Sequence, residues 1–460
     1  MSTMSALSVP AASYVERLLF ALVHAQLYGP GHARVREAAA DVSKAVRERC
    51  EREHTSATLL GVVAGQVVVD GKPLLGASLS ARRLLQRIEA VGAGGVELGA
   101  TTSADDVTTL VEVLARRAPV ADLRAANADL LQRRVRAVRF VAPWDGGDAA
   151  PAAAVASGDE RTAVLLHQDT VDLLQGLTIA ACHGRELDVS QVEGVVDRMV
   201  EGLDRDAGVL HGLARYPEYD FFTFGHSIRV ALLCLEVARR TTTDRALLHR
   251  IGTAALLHDV GKALVRWEVL HKQGSLSAEE RREMQRHPVL GGGILLANRD
   301  SDPLAVAAAY GHHCAPGGHG YPRSCDEFHQ GVVTRLVRVC DVFEALTAVR
   351  PYKPAMSPAR AIRTMLAMRE GLDEALLGTF VRVVGLHPPG TRVLLDDGSV
   401  GRVVSQTDDF HRPLVEVVAV DGVALPLEAR RRVDLRVPGE EDPRRIVGPA
   451  PELEVTTSFD

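Results

Sequence analysis

The chain has 460 residues and a formal net charge of −6, with 46% hydrophobic and 24% charged residues. This composition is typical of folded globular proteins and excludes a globally disordered chain. The acidic net charge disfavours a nucleic-acid polymer as the main partner. The sequence contains no run of 18 uncharged apolar residues, so no membrane-spanning helix is predicted.

The first residues and the cysteines predict a cytoplasmic protein. The N-terminal segment lacks a basic start followed by an apolar core, which a signal peptide requires. The six cysteines include no CxxC pair, so we expect free thiols in a reducing compartment.

At roughly 150 residues per domain, the length predicts about three domains, the first a small α/β domain over residues 1–141. Two helices are expected over residues 11–51. Two short strands are expected within Leu59–Leu75, with Asp70-Gly71 as their turn, and Ser103 is expected to cap a later helix. Because no phosphate loop or phosphoacceptor pattern occurs, we interpret this domain as regulatory or dimerising, which predicts a homodimer.

The remaining chain divides by composition into four further segments. Residues 142–162 are rich in Ala, Gly, Pro and Asp and predict a linker. Helical patterns dominate residues 163–384, which predicts an all-α domain. Residues 385–437 alternate like strands and predict a small all-β, barrel-like module, followed by a flexible tail over 438–460.

Histidines are concentrated in the helical region, where ten of the seventeen lie between positions 211 and 329. A single histidine on a helix is more often an ordinary side chain than a ligand. Here, however, several flank helices that can converge on one point, as in metal sites inside helical bundles. The candidate ligands are His226, His258, Asp259, His287, His312, His313 and Asp341.

These candidates offer only imidazole and carboxylate donors, which suit iron, manganese, zinc or cobalt. The adjacent pairs His258-Asp259 and His312-His313 suit two metals held close together, because one carboxylate can bridge them. Two metals roughly 3.5–4 Å apart activate a bridging hydroxide and neutralise a phosphate oxygen. The pattern therefore predicts hydrolysis of a phosphoester.

Several cations lie near these candidates in the chain. Lys262 follows His258-Asp259 in the segment HDVGK, in which we expect Gly261 to end the helix and turn the chain. Arg350 and Lys353 lie three residues apart, a spacing that lets them share a helical face or flank one pocket.

The order of motifs in the central region resembles that of the HD-GYP family, a subgroup of the HD metal-dependent phosphohydrolases. The resemblance covers roughly residues 165–384. The motifs that carry it are FGHSIRV, HDVGK, MQRHPVLGGGIL, HHCAPGGHGYP and DVFEALTAVRPYK.

This resemblance implies an all-α, metal-dependent phosphodiesterase that hydrolyses cyclic di-GMP to pGpG and often on to GMP. It implies that the seven candidates are the metal ligands, with Asp259 bridging. Asp259 and Lys262 would be catalytic, since Lys262 would lie beside the bridging hydroxide and a phosphate oxygen. Tyr321, Arg350 and Lys353 would bind the substrate together with Lys262.

We expect two divalent transition-metal ions as cofactors, with iron or manganese favoured. Some members of the family carry a Glu four residues before the first ligand histidine, where it supports a third metal. This chain has Phe222 at that position, and phenylalanine offers no lone pair to a cation. The expected site therefore holds two metals.

Two departures from the family pattern keep other functions open. The family commonly has Glu after the paired histidines and Asp before the next Gly, where this chain has Cys314 and Gly317. One alternative is a cyclic di-GMP receptor or scaffold with little or no turnover, and another is an HD phosphohydrolase of a different nucleotide. Cys314 is either a redox-sensitive thiol or a small buried side chain.

Overall fold

The computed structural model describes residues 12–63, 66–70, 72–74, 81–116, 122–143, 158–214, 224–272, 274–322, 329–348, 356–368, 370–409, 411–436 and 445–450. These residues divide into two compact units, one up to residue 143 and the other from residue 158 onward. Across these ranges, no helix combines the length and the apolar character needed to cross a membrane.

The first unit combines helices with an antiparallel sheet, as predicted. Its helices are α1 (Ala12–Tyr28), α2 (Ala33–Glu53), α3 (Arg82–Ala90), α4 (Ala104–Ala115) and α5 (Leu123–Gln132). Its strands are β1 (Ala57–Val63), β2 (Gln66–Val69), β3 (Lys72–Pro73), β4 (Gly95–Gly99) and β5 (Val138–Val141), in the order β3-β2-β1-β4-β5. The helical spacing of Tyr14, Leu18 and Leu22 buries all three side chains of α1.

The strand pattern after α2 differs from the prediction. Three strands, not two, occupy this stretch. Asp70 lies at a turn, as predicted, and this turn joins β2 to β3, which pair antiparallel. Asp70 has a φ of 49°, and its carboxylate accepts from the main-chain N–H of Leu59 at 2.7 Å. The expected cap is confirmed, because Ser103 and Asp106 form a capping box at the start of α4.

The second unit begins with an array of helices, which confirms the predicted all-α character of the described central region. A 3-10 helix, Val260–Leu264, lies within it. The α-helices are α6 (Gly158–Cys182), α7 (Ser190–Ala214), α8 (Phe224–Ala238), α9 (Arg245–Leu257), α10 (Trp267–Leu270), α11 (Ala278–Met284), α12 (His287–Ala297), α13 (Pro303–Gly311), α14 (Val332–Thr347), α15 (Pro358–Ala367) and α16 (Glu374–Val384).

Helix α8 lies at the centre of this array. It packs against α7, α9, α14 and α16, and nearly all of its side chains are buried. A helix that is apolar almost all round belongs inside a core, and the rare polar groups on it then need buried partners.

The second unit ends in an antiparallel sheet. Its strands are β6 (Arg392–Leu395), β7 (Val400–Ser405), β8 (Leu414–Val420), β9 (Val423–Ala424), β10 (Arg431–Asp434) and β11 (Ile446–Pro449). The order is β10-β8-β7-β6-β11, with β9 pairing β8. Because β10 and β11 lie at opposite edges and do not pair, the described sheet is open and the barrel-like prediction is wrong. Strand β11 also lies within the segment predicted as a flexible tail.

Candidate metal centre

The structure brings all seven predicted ligands together, and all except Asp341 lie at or near the ends of helices. His226 is in the first turn of α8, and Asp341 is in the middle of α14. The others follow helices, which leaves their side chains at the point where the helices meet. His258 and Asp259 come directly after α9, His287 comes after α11, and His312 and His313 come after α13.

Asp259 lies between two pairs of imidazoles. Its Oδ2 is 3.3 Å from Nε2 of His258 and 3.4 Å from Nε2 of His226. Its Oδ1 is 3.3 Å from Nε2 of His287 and 3.7 Å from Nε2 of His312. The two oxygens of one buried carboxylate thus face different histidines, which is the arrangement of a bridging ligand.

Asp341 connects His313, the remaining predicted histidine ligand, to the same centre. Its Oδ1 lies 3.2 Å from Nε2 of His226, and its Oδ2 lies 4.0 Å from Nδ1 of His313. Two groups have ligand atoms that all lie within 4.8 Å of one another. One is His226, His258 and Asp259, and the other is His287, His312 and His313.

Main-chain oxygens fix the orientation of three of the imidazoles. Each donates its Nδ1–H to the preceding helical turn: His258 to Ala255 (2.7 Å), His287 to Met284 (2.8 Å) and His312 to Ala308 (3.0 Å). The Nε2 lone pairs therefore face the centre, as metal coordination requires. The Nε2 atoms of His287 and His312 lie only 3.1 Å apart.

Burial keeps His287, His312 and His313 neutral. It lowers the pKa of His287 to about 3 and that of His313 to about 4, and it lowers the pKa of His312 well below the ordinary value. Burial alone would raise the pKa of Asp259, but Lys262 and His258 hold that pKa well below its usual range. His226 differs, because Glu344 and Asp341 outweigh its burial and raise its pKa to about 9. The centre therefore combines neutral imidazoles at His287, His312 and His313 with the ionised carboxylate of Asp259, the protonation states that metal ligands need.

Two buried atoms test whether the residues fit a metal. His258 Nε2 and Asp259 Oδ1 have no hydrogen-bond partner within the described part of the chain. Buried polar atoms are normally satisfied, so such a pair is what a cation-binding site presents. The residues of this centre fit a divalent metal.

The segment HDVGK places Lys262 on this carboxylate, where its Nζ donates to Oδ2 of Asp259. Gly261 does not end a helix, as was predicted, but lies within the 3-10 helix. A Cβ at this position would lie 2.0 Å from the main-chain oxygen of His287 and 2.4 Å from the nitrogen of Gly291. Glycine is required here because two backbones approach each other closely.

The loop that contains Gly320-Tyr321-Pro322, called the GYP loop below, packs on the exposed side of the centre. The ring of Tyr321 lies 4.5 Å from that of His313, with the ring planes 31° apart. Gly320 has a φ of 117°, and a Cβ there would lie 2.2 Å from the main-chain oxygen of His313. His319 in the same loop is exposed. Tyr321 is therefore the loop side chain that borders the predicted ligands.

Cys314 corrects the expectation of six free thiols. Its side chain is buried and disulfide-bonded, whereas Cys50, Cys182, Cys234 and Cys340 are free. Cys314 directly follows His313 in the chain, so the disulfide bond lies beside a predicted ligand. The sixth cysteine, Cys325, lies outside the described residues.

Three predicted positions lie outside the described residues. Arg350 and Lys353 are two of them, and Phe222, on which the number of metals was argued, is the third. The roles assigned to them stay predictions.

Three charged residues at the centre were missed by the sequence analysis. Glu344 contacts both His226 and Arg229, and Arg338 donates to the main-chain oxygen of His312 at 3.2 Å. Each lies three residues from a predicted ligand: Arg229 from His226, and Arg338 and Glu344 from Asp341. This spacing puts side chains on one helical face, so it is a signal that could have found them.

Comparison with known proteins agrees with this geometry. Residues 218–376 match the family model described as HD domain. Over 266 residues the chain is 33% identical to a cyclic di-GMP phosphodiesterase of Pseudomonas aeruginosa, covering 58% of this chain and 64% of the relative. The central region therefore contains an HD domain.

A second relative and a solved structure extend the comparison. The chain is 38% identical over 171 residues to a 3'3'-cGAMP-specific phosphodiesterase of Vibrio cholerae, covering 36% of each protein. A solved HD-GYP-type protein of Bdellovibrio bacteriovorus has a TM-score of 0.39 and 14% identity, covering 48% of this chain and 71% of that chain. The chain thus spans less than two thirds of the curated relatives' own length.

Proposed function

We propose that this protein is a metal-dependent phosphodiesterase that hydrolyses cyclic di-GMP to pGpG, GMP or both, with two divalent transition-metal ions. The proposal is supported above all by the carboxylate of Asp259, whose two oxygens face different pairs of imidazoles. The name of the Pseudomonas relative supports the substrate.

The residues that would hold the metals are the seven predicted ligands. His226, His258 and Asp259 form one group, and His287, His312 and His313 form the other, with Asp341 reaching a histidine of each. Nitrogen and oxygen donors of this kind suit iron or manganese. The metals would supply an activated water and the neutralisation of phosphate charge.

The chain's own residues would then position the substrate and exclude water. Lys262 keeps Asp259 ionised and adds a positive charge on the side where a phosphate would bind. Tyr321, packed on His313, would line the guanine or phosphate side of the pocket. Arg350 and Lys353 would bind the substrate phosphates through their positive charges. Neither side chain can ligate a metal while it is protonated.

A second substrate has independent support. Three relatives from Vibrio cholerae are named 3'3'-cGAMP-specific phosphodiesterases, at 34–38% identity. This dinucleotide presents the same phosphodiester linkages and differs in one base, so the metal centre would treat both alike. Residues of the GYP loop would then decide the preference between them.

A third possibility is binding without turnover. It is supported by Cys314 and Gly317, which stand where the family pattern has two acids, and by the disulfide that restrains Cys314. Dimerisation through residues 1–141 stays a prediction.

The deciding experiment is product analysis on protein purified without oxygen, with its metal content measured first. The protein is incubated with cyclic di-GMP and, separately, with 3'3'-cGAMP, and the products are separated by chromatography. Asp259→Asn should abolish turnover. The matched control Asp169→Asn, which weakens the ion pair with Arg198, should keep it.

Two other results of this experiment would each favour a different function. Tight binding of cyclic di-GMP by the metal-loaded protein without any product would favour a receptor. Hydrolysis of 3'3'-cGAMP alone would favour the second substrate.

A further inference from the structure

Glu344 is a buried carboxylate to which neither the sequence motifs nor the proposed function assigns a role. It is 2% exposed and lies on α14, one turn after Asp341. Its Oε2 accepts the Nδ1–H of His226, and its Oε1 accepts the Nε–H of Arg229 at 2.6 Å. A buried carboxylate is costly unless both oxygens are engaged, and here they are.

The position of His226 in its helix explains why it needs this partner. His258, His287 and His312 follow the last turns of helices, where unsatisfied main-chain oxygens accept their Nδ1–H groups. His226 instead lies in the first turn of α8, the end of a helix that offers N–H groups. A side chain from another helix has to supply the acceptor, and Glu344 does so.

The contact fixes which nitrogen faces the centre. With Nδ1 engaged by Glu344, the Nε2 atom of His226 faces Asp341 Oδ1 at 3.2 Å and Asp259 Oδ2 at 3.4 Å. A carboxylate behind a ligand histidine also makes the imidazole a stronger donor to a metal.

We infer that Glu344 is a positioning residue that holds His226 in the orientation and tautomer for metal binding, and that Arg229 holds Glu344 in turn. The inference rests on the metal-binding part of the proposed function. It does not depend on which nucleotide is hydrolysed.

The test measures Co²⁺ affinity by competition with chelators, together with the visible absorption of bound Co²⁺, in the full chain. Glu344→Ala should weaken Co²⁺ binding about 10- to 100-fold, the cost typical of losing such a partner, and should change the absorption spectrum. Glu344→Gln should recover part of the affinity, because an amide oxygen can accept the same hydrogen bond. Arg229→Met should cause a smaller loss in the same direction.

A second ion pair on α14 provides matched controls. Arg335 pairs with Asp373, which also caps α16, and neither residue contacts a predicted ligand. Asp373→Ala and Arg335→Met should lower thermal stability while leaving Co²⁺ affinity and absorption near those of the parent. This comparison separates a positioning role from general destabilisation.

The double variant His226→Ala/Glu344→Ala shows whether Glu344 acts through His226. Its Co²⁺ affinity should equal that of His226→Ala alone. Parental affinity and spectrum in Glu344→Ala, or an undiminished effect of that change in the His226→Ala background, would overturn the inference. A parent that binds Co²⁺ but hydrolyses no cyclic dinucleotide would overturn the proposed function and leave this inference intact.

Discussion

The Nε2 atoms of His287 and His312 face each other at 3.1 Å in a buried site. Both rings donate Nδ1–H to main-chain oxygens, so both facing nitrogens carry lone pairs. Two lone pairs at this distance repel each other, and a cation between them removes the repulsion. The metal-free protein is therefore expected to be less stable than the loaded one.

The first prediction is that Mn²⁺ or Zn²⁺ raises the melting temperature of chelator-treated protein. At a free metal concentration 100 times the dissociation constant, binding stabilises the fold by about 2.7 kcal/mol per site. Thermal unfolding followed by circular dichroism checks this. His287→Ala should reduce the metal-induced shift, and equal melting temperatures with and without metal would speak against a metal centre.

The second prediction concerns the bridging position. Asp259→Ala should lose metal and turnover together, because both halves of the centre face this carboxylate. The loss of affinity should exceed about 100-fold, since even partners behind the ligands contribute 10- to 100-fold. Elemental analysis after dialysis measures it, and full metal occupancy in the variant would refute the bridging assignment.

The third prediction is acid sensitivity of the metal-free protein. Burial holds the pKa of His287 at about 3 and that of His313 at about 4, whereas an unfolded histidine titrates near about 6.5. Below about pH 6.5 the unfolded chain thus binds more protons than the folded one, so stability is lost as the pH falls. Each such histidine contributes a slope of about 1.4 kcal/mol per pH unit.

Urea unfolding between about pH 7 and about pH 5 measures this slope, in the window above the titration of carboxylates. His313→Asn removes one of these titrating groups, so it should reduce the slope by about 1.4 kcal/mol per pH unit. A free energy of unfolding that does not change over this window would show that these histidines titrate normally.

The fourth prediction uses two glycines in contacting elements. Gly261→Ala should lower the free energy of unfolding by about 1–3 kcal/mol or more, because the added Cβ meets the main chain of His287. It should also reduce metal content, since that contact positions a predicted ligand. Gly293→Ala on α12 is the matched control, with no atom within 4 Å of the added Cβ.

The control should be neutral or stabilising, by up to about 1 kcal/mol from helix propensity. Chemical denaturation and elemental analysis compare the two variants. Equal stability of both would mean that the close approach at Gly261 is unimportant.

The fifth prediction separates substrate contacts from metal ligands. Arg350→Ala and Lys353→Ala should weaken handling of the cyclic dinucleotide while leaving metal content near that of the parent. Steady-state kinetics and elemental analysis are both needed. Loss of metal in both variants, without unfolding, would argue against a phosphate-binding role.

The candidate ligands could be proposed from sequence because each lies in a recognisable motif, most of them near a helix end. Glu344 was not found, because its role depends on the contact between α8 and α14, which are 118 residues apart at the His226–Glu344 pair. A carboxylate within a helix otherwise predicts an exposed face. Only the packing of the two helices shows that this one is buried.

The sheets show the same limit. Alternating residues and turn glycines predict strands over Thr391–Leu395, Val400–Gln406 and Leu414–Val420. These ranges are close to β6, β7 and β8, since the signals are local. Closure of the sheet depends on which strands pair at its edges. The pairing of β11 with β6 leaves the sheet open, and this pairing could not be inferred from strand patterns.

The positions of the histidines in their helices have an electrostatic consequence. The carbonyl end of a helix carries a partial charge of about −0.5, and α9, α11 and α13 all direct that end toward the predicted ligands. Helices α8 and α12 begin at the centre and present their positive ends, and the carboxylate of Glu344 offsets that of α8. With this offset, three carbonyl ends outweigh one positive end, so losing one imidazole removes a donor atom and leaves this attraction for cations in place.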